Sequence, residues 1–231
     1  MVEKIYKAGI IGCGFIGVEA PDSHLRAYME CDRTKVVGLS DNDWGKARSK
    51  FWDVRNLNWY LFYEEMIGGT HPDIVSICTP VETHCQIVCD IAPYVKAIYC
   101  EKPMATSLKE CDRMIEVCEK NNVILQINHQ RNFVPPVMRF SRDLIDTGTH
   151  AFALIRHLFA SGIKVTIDYI PTDEHIFELD CTHNKEEMIL AGVEHLVECL
   201  DYGMDSMSDG IEGREALRLA LEFKEQYERT R

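Results

Sequence analysis

Short apolar segments alternate with helical patterns along the first 130 residues of the chain. An apolar segment rich in β-branched residues predicts a buried strand, and the amphipathic pattern that follows it predicts a helix. Strands and helices that alternate in this way form a parallel sheet with helices on both faces, so the sequence predicts a doubly wound α/β fold. The predicted strands are Ile5–Gly12, Thr34–Asp41, a weak one at Tyr60–Phe62, Pro72–Pro80, Val95–Pro103 and Val123–His129, and the predicted helices are Ser23–Cys31, Trp44–Trp52, Glu82–Ala92 and Ser107–Asn121.

The pattern changes beyond residue 130. The predicted elements there are helices over Pro136–Ile145 and His150–Phe159, strands over Lys164–Ile170 and His175–Cys181, and long helices from Lys185 onward. We therefore divide the chain into a first domain, residues 1–130, and a shorter α+β domain, residues 131–231.

Charge and cysteine usage narrow the classes of function. The formal net charge is −12 and the isoelectric point is about 5.2, so we expect neither nucleic acid nor an anionic membrane as a partner. The apolar run Ala8–Val18 is too short and too rich in glycine to span a bilayer. The ten cysteines are scattered, without a CxxC pair, which favours reduced thiols, a cytoplasmic location and no metal site.

A glycine-rich motif, Gly12-x-Gly14-x-x-Gly17, directly follows the first predicted strand. Gly12 permits a tight turn, Gly14 lets the backbone approach a pyrophosphate, and Gly17 permits close packing of the next segment. Phe15 and Ile16 lie between the last two glycines, where backbone N–H groups face the phosphates. The motif therefore predicts a dinucleotide site.

Asp41 ends the second predicted strand, 24 residues after Gly17, where a carboxylate is typical of a ribose-binding acidic residue. A carboxylate there accepts hydrogen bonds from the ribose hydroxyls and repels a 2′-phosphate. We therefore predict NAD as the cofactor. NADP is the less favoured alternative, since Lys46 and Arg48 follow nearby.

Two further motifs lie where predicted parallel strands end. Thr79-Pro80 is the carboxyl end of one strand, with His84 beyond it, and Glu101-Lys102-Pro103 is the carboxyl end of the next. Open α/β sheets bind their ligands at the carboxyl ends of their strands. We therefore place Thr79, Pro80, His84 and Glu101 with the cofactor.

Together, the glycine motif, the T-P-x-x-x-H turn and the E-K-P triplet resemble the Gfo/Idh/MocA family of oxidoreductases, which includes glucose-fructose oxidoreductase and inositol dehydrogenase. The resemblance covers roughly residues 4 to 160. It implies a Rossmann domain that binds NAD(P), followed by a domain that carries a sugar or polyol site. It also implies that the lysine of E-K-P, here Lys102, approaches the substrate and the nicotinamide.

The family further has a D-x-G-x-H segment that supplies a catalytic Asp and the His that takes the hydroxyl proton. Carried onto this sequence, these residues are Asp146 and His150. A neutral imidazole is a competent base near neutral pH, and a nearby cation stabilises a developing alkoxide. The resemblance thus implies Lys102, His150 and Asp146 as catalytic residues.

The sequence departs from the family after this segment. The helix ending at Ile145 and the D-x-G-x-H segment share one Asp-Thr-Gly, so Asp146 is either catalytic or only a helix end, and Ala153 stands where a second Asp is usual. Only two strands are predicted where the family has a larger sheet, as expected for an internal deletion. Because two strands alone leave an exposed edge, we expect a homodimer or higher homo-oligomer.

Two functions stay open from the sequence. The first is an NAD-dependent oxidoreductase acting on a sugar, a polyol or a related hydroxy compound. The second is a dinucleotide-binding regulatory protein, or an impaired member of the family, that has lost its substrate sheet. The intact Lys102 and His150 favour the enzyme, whereas the shortened second domain and Ala153 favour the alternative.

Overall fold

The computed structural model describes residues 4–43, 57–129, 138–139, 178–179 and 188–229. Within these ranges, one six-stranded sheet has the strand order β3-β2-β1-β4-β5-β6, and every neighbouring pair is parallel. The predicted doubly wound fold is therefore confirmed. The strands are β1 Tyr6–Ile11, β2 Thr34–Ser40, β3 Trp59–Tyr60, β4 Ile74–Ile77, β5 Ala97–Cys100 and β6 Ile124–Ile127.

Helices cover both faces of this sheet. A five-residue π-helical turn, Phe15–Glu19, follows the glycine motif, and a 3-10 turn, Ala92–Tyr94, follows the third α-helix. The α-helices are α1 His24–Glu30, α2 Tyr63–Thr70, α3 Val81–Ile91, α4 Leu108–Lys120, α5 Met188–Tyr202 and α6 Gly210–Arg229. No helix in these described ranges has both the length and the apolar character that crossing a membrane would require.

Side-chain caps fix where two of the helices begin. The Ser23 hydroxyl accepts the main-chain N–H of Arg26 at the start of α1, and the Ser107 hydroxyl accepts that of Glu110 at the start of α4. Each bond satisfies a backbone donor that has no partner inside its own helix. Ser107, the first residue of the predicted helix Ser107–Asn121, is the N-cap of α4.

The apolar core forms two layers, one on each face of the sheet. On one face α2, α3, α4 and α6 bury side chains such as Met66, Val88 and Met114, and on the other α1 and α5 bury Tyr28 and Leu196. The last two helices therefore pack on the same sheet as the first 130 residues. The sequence predicts a domain boundary at residue 130, yet α5 and α6, which follow it, share core layers with helices that precede it.

The loop before α6 continues the sheet beyond β6. Gln126 forms an isolated antiparallel bridge with Asp209, and the main-chain N–H of Ile127 donates to the carbonyl of Ser208 at 2.7 Å. Strand edges with unpaired backbone groups are templates for unwanted pairing. This loop covers the edge of β6.

Two short strands lie outside the main sheet. β7, Met138–Arg139, pairs antiparallel with β8, Glu178–Leu179. The strand predicted over His175–Cys181 is confirmed at β8, but the helix predicted over Pro136–Ile145 is wrong at β7. The apolar spacing of that segment suits a helix, and it carries no information about a partner strand so far along the chain. The elements predicted at Trp44–Trp52, His150–Phe159 and Lys164–Ile170 lie outside the described residues.

Candidate functional site

The first glycine of the motif forms a turn that no other residue would fit. Gly12 follows β1 and has φ of +92°, in a region that side chains rarely adopt. A Cβ atom there would lie 2.6 Å from the carbonyl carbon of Cys78 and 2.8 Å from the nitrogen of Thr79. The end of β1 thus lies directly against the backbone that leaves β4.

The other two glycines differ from each other. A Cβ atom at Gly17 would lie 2.2 Å from the carbonyl oxygen of Gly12, so Gly17 is required for the turn to close on itself. At Gly14 a Cβ atom would meet nothing within 4 Å. The space beside Gly14 is therefore open, as it must be if a ligand approaches the backbone there.

The residues between these glycines offer backbone and not side-chain contacts. Phe15 is 67% exposed, and Ile16 packs partly against the core layer of α1. The carbonyls of Gly14 and Phe15 accept the N–H groups of Val18 and Ala20, which shapes the π-helical turn. The turn presents main-chain groups at the carboxyl edge of β1.

Asp41 ties this turn to the end of β2. One carboxylate oxygen accepts the N–H of Cys13 at 2.7 Å, and the other accepts the N–H of Asp43 at 2.8 Å. An ionised carboxylate can accept about four hydrogen bonds. Asp41 therefore holds the turn in place and keeps the capacity to accept further donors.

His84 braces the loops that follow β4 and β5. It is 1% exposed, and its Nε2 atom lies 2.9 Å from the carbonyl oxygen of Thr79. Its Nδ1 atom lies 3.1 Å from the carbonyl oxygen of Pro103 and 3.3 Å from that of Met104. Both ring nitrogens thus face protein carbonyls, which suits a role in holding the Thr79–Pro80 turn rather than in touching a ligand.

Glu101, directly after β5, is 6% exposed and lies in a buried polar network. Its Oε1 atom lies 3.0 Å from Nε2 of His24 and 2.5 Å from the Asn128 amide nitrogen, while its Oε2 atom accepts the main-chain N–H of Lys102 at 3.3 Å. Burial alone would raise the pKa of Glu101, but the hydrogen bond and charge of His24, with the Asn128 amide, hold it below its usual range. Glu101 is therefore a buried carboxylate that favours its ionised form.

The network continues away from Glu101 in two directions. Nδ1 of His24 lies 2.8 Å from the Ser76 hydroxyl, which lies 2.8 Å from the hydroxyl of Tyr28. The Tyr99 hydroxyl donates to the Asn128 amide oxygen at 2.7 Å. Sequence reasoning missed His24 and Asn128; the available signal was the presence of polar residues, such as Ser76, inside otherwise apolar strands.

The structure brings most of the predicted site residues to one edge of the sheet. Because β1, β2, β4 and β5 are parallel, the glycine turn, Asp41, Thr79-Pro80 and Glu101-Lys102 all follow carboxyl ends at that edge. The strand order reverses between β1 and β4, and doubly wound sheets bind ligands at such a reversal. The predicted catalytic residues Asp146 and His150 lie outside the described residues.

A doubly wound sheet with this glycine turn at its switch point defines a Rossmann protein of the dinucleotide-binding class. Residues 6–129, more than half of the chain, match the family model described as the oxidoreductase family with an NAD-binding Rossmann fold. The chain belongs to this family, Gfo/Idh/MocA, and the resemblance inferred from its motifs is confirmed.

Relatives of known name agree with this assignment. The chain is 34% identical over 142 residues to an NADP(+) D-xylose 1-dehydrogenase from Haloarcula marismortui, covering 60% of this chain and 38% of that protein. It is 27% identical over 183 residues to a myo-inositol 2-dehydrogenase from Thermotoga maritima, covering 79% and 53%. The chain spans about half the length, or less, of these relatives.

Among solved structures, a probable dehydrogenase from Thermotoga maritima matches with a TM-score of 0.76 at 18% identity, covering 97% of both chains. An oxidoreductase from Agrobacterium radiobacter, in complex with NAD+, L-tartaric acid and magnesium, matches with a TM-score of 0.74 at 14% identity, covering 94% of both. At these identities the likeness concerns the fold alone.

Proposed function

We propose that this protein is an NAD-dependent oxidoreductase that transfers hydride between nicotinamide and a sugar, a polyol or a related hydroxy compound. The observation that carries the proposal is the placement of the glycine turn, Asp41 and Lys102 at one carboxyl edge of the sheet. The names of the relatives, which include xylose, inositol and apiose dehydrogenases, support the substrate class.

The residues at this edge fit a dinucleotide. The open space beside Gly14 admits a pyrophosphate close to the backbone, and the remaining acceptor capacity of Asp41 suits ribose hydroxyls. The negative charge of Asp41 disfavours a 2′-phosphate, so we propose NAD rather than NADP. When bound, the nicotinamide supplies the hydride chemistry.

The protein would supply positioning and proton transfer. In this proposal the Lys102 ammonium stabilises the oxygen that becomes an alkoxide, and the His150 imidazole takes the hydroxyl proton. Asp146 is either a partner of His150 or the end of a helix. We also propose a homodimer or higher homo-oligomer, because the two strands predicted beyond residue 130 alone would leave an exposed edge. We propose a cytoplasmic location because the cysteines are scattered along the chain.

One observation favours a second candidate, a dinucleotide-binding protein without turnover. Ala153 stands where the family usually has an Asp. This difference concerns the substrate side and leaves the cofactor edge unchanged. The two candidates therefore share NAD binding and differ in turnover.

A two-stage experiment separates them. NADH fluorescence is titrated with the protein first, and NADH formation is then followed with NAD+ and a panel of aldoses and polyols. The enzyme proposal expects saturable binding and turnover that falls about 100-fold or more in His150→Asn and in Lys102→Met, with NADH affinity nearly unchanged. Binding without turnover on any panel member would favour the second candidate, and absence of binding would overturn both.

A further inference from the structure

The buried polar network around Glu101 contains more than the packing of the sheet requires. His24, Ser76, Tyr28, Tyr99 and Asn128 are each completely buried, and their hydrogen bonds lead to a single carboxylate, which His24 and Asn128 contact directly. Burying a charged or polar group costs free energy even when it is paired, and apolar side chains of similar volume often serve stability as well or better. A contribution to stability is therefore a weak explanation for this network.

The contacts of the network lead from His24 and Asn128, through the Glu101 carboxylate, to Lys102. The Glu101 carboxylate is held on one oxygen by the His24 imidazole and the Asn128 amide, and its other oxygen accepts the main-chain N–H of Lys102. Main-chain hydrogen bonds already fix Glu101 and Asn128 to the strand ends, since Glu101 donates to Ile77 and Asn128 donates to Cys100. The side-chain bonds thus orient the carboxylate, which in turn restrains the residue that follows it.

His24 is the member of the network that reaches the Glu101 carboxylate from a helix. It is the first residue of α1, directly after the Ser23 cap and on the segment that leaves the glycine turn. Its ring also packs edge-on against Tyr99, with centroids 4.8 Å apart, which fixes the ring plane. One side chain therefore links the segment after the phosphate-facing turn to the loop that carries Lys102.

We propose that His24 is a positioning residue for Lys102: its Nε2 atom orients the Glu101 carboxylate, which holds the Lys102 backbone at the carboxyl edge of β5. The importance of this position for catalysis rests on the proposed oxidoreductase function. The link between His24 and Lys102 is a property of the folded protein alone.

Two conservative variants of His24 each keep one of the two hydrogen-bond contacts that its ring makes. In His24→Gln the amide nitrogen can reach Glu101, while the contact to Ser76 is lost. In His24→Asn the shorter amide can reach Ser76 but not Glu101. A merely structural role predicts similar effects for both variants, whereas the positioning role predicts that only the asparagine variant disturbs Lys102.

The readout is the main-chain amide of Lys102 in the unliganded protein, observed with isotope-labelled lysine and assigned by its disappearance in Lys102→Arg. We expect amide hydrogen exchange at Lys102 to accelerate about tenfold or more in His24→Asn and to stay within about threefold of the parent in His24→Gln. Ser206→Ala is the matched control, because Ser206 is also buried but its hydroxyl bonds Gln126 and the main-chain N–H of Ser208.

Should His24→Asn fail to fold, Glu101→Gln tests the second step of the link, because it keeps the shape of the side chain and removes the charge that accepts the Lys102 N–H. The inference is overturned if both His24 variants change the Lys102 amide equally. It is also overturned if the Lys102 amide is unchanged in His24→Asn or, where that variant does not fold, in Glu101→Gln.

Titration with NADH and turnover with NAD+ then separate this inference from the proposed function. If the enzyme is active, His24→Asn should lower kcat and leave NADH affinity within about threefold, since it acts through Lys102. A disturbed Lys102 amide in a protein that neither binds NADH nor turns over would overturn the function and uphold the positioning role. Normal kcat in His24→Asn would overturn the importance of the position for catalysis.

Discussion

The carboxylate of Asp41, at the end of β2, accepts the main-chain N–H of Cys13 at 2.7 Å inside the glycine-rich turn. Its second oxygen accepts the N–H of Asp43. Asp41 therefore has a structural task in the protein itself, in addition to the contact with ribose that we propose. A variant that removes the whole side chain would change both, so the two roles need separate substitutions.

Asp41→Asn separates them, because the amide keeps an oxygen for Cys13 and loses the charge that repels a 2′-phosphate. We expect the ratio of NADH to NADPH affinity to fall about tenfold in Asp41→Asn, since specificity here depends on repulsion of the wrong ligand. Asp41→Ala should lower this ratio by a similar factor and should also weaken the binding of both cofactors. Fluorescence titration measures each affinity, with Asp43→Ala as the control that keeps its main-chain donor. Tighter binding of NADPH than of NADH by the unaltered protein would contradict the assignment.

The same substitution, glycine to alanine, should affect stability very differently at two positions of the turn. Gly12→Ala should lower the free energy of unfolding by about 3 kcal/mol, because a side chain there has a positive φ and collides with the backbone of Cys78. Gly14→Ala should change it by less than about 0.5 kcal/mol, because the conformation is extended and the space is open. Urea unfolding distinguishes the two.

The same pair tests where the cofactor lies. Gly14→Ala should weaken NADH binding about tenfold or more, since the new methyl group occupies the space that a pyrophosphate needs. Unchanged NADH affinity in Gly14→Ala would show that the phosphates bind elsewhere.

The sequence predicted the strands of the main sheet well because each is an apolar segment whose character is local. It missed α2, since Gly68 and Gly69 weaken a helical pattern that is nevertheless stabilised by burying Met66 and Ile67. It also predicted a helix where β7 pairs with a distant strand. Local patterns do not report such pairings.

The residues of the candidate site also divide into those that a local sequence pattern predicts and those that it does not. The glycine turn and Asp41 were predictable, because their spacing reflects a short local unit of strand, turn, helix and strand. The contact of His24 with Glu101 joins residues far apart along the chain, and no periodicity marks it. His84 was predicted beside the cofactor, and only the contacts of its ring nitrogens indicate a brace between two loops.

A buried histidine makes the protein sensitive to acid. Burial lowers the pKa of His129 to about 4, from about 6.5 in an exposed histidine. The folded state therefore prefers the neutral ring, while the unfolded chain takes up a proton already near pH 6.5. This contribution to stability is complete above that pH and is lost as the pH falls from about 6.5 towards about 4, by up to about 3 kcal/mol.

His129→Gln should remove this dependence. The difference in unfolding free energy between parent and variant should shift by about 2 kcal/mol in favour of the variant between about pH 7.5 and pH 5, as measured by urea unfolding. His71→Asn, at an exposed position in the left-handed conformation that Asn tolerates, is the control for loss of a histidine. Parallel stability curves for parent and His129→Gln would contradict the prediction.

The brace formed by His84 gives the last prediction. Since its two ring nitrogens face the carbonyls of Thr79 and of Pro103, removal of the ring releases both loops at the cofactor edge. We expect His84→Ala to lower the unfolding free energy by about 3 kcal/mol, because it leaves a cavity and removes the ring N–H that donates to one of these buried carbonyls. NADH affinity should fall about tenfold with it, as the Thr79–Pro80 turn shifts.

A direct contact between His84 and the cofactor would also weaken binding, so the test needs a second readout. In the brace, the ring nitrogens stay on their carbonyls when NADH binds, and their magnetic resonance signals should move little. Thr83→Ala is the matched control in the same turn, since it removes the exposed bonds of the Thr83 hydroxyl to the Thr79 hydroxyl and the Pro80 carbonyl and leaves the ring in place. Its NADH affinity should stay within about threefold of the parent. Large movement of the His84 signals on NADH addition would show that the ring leaves its carbonyls, and the residue would then belong to the binding surface itself.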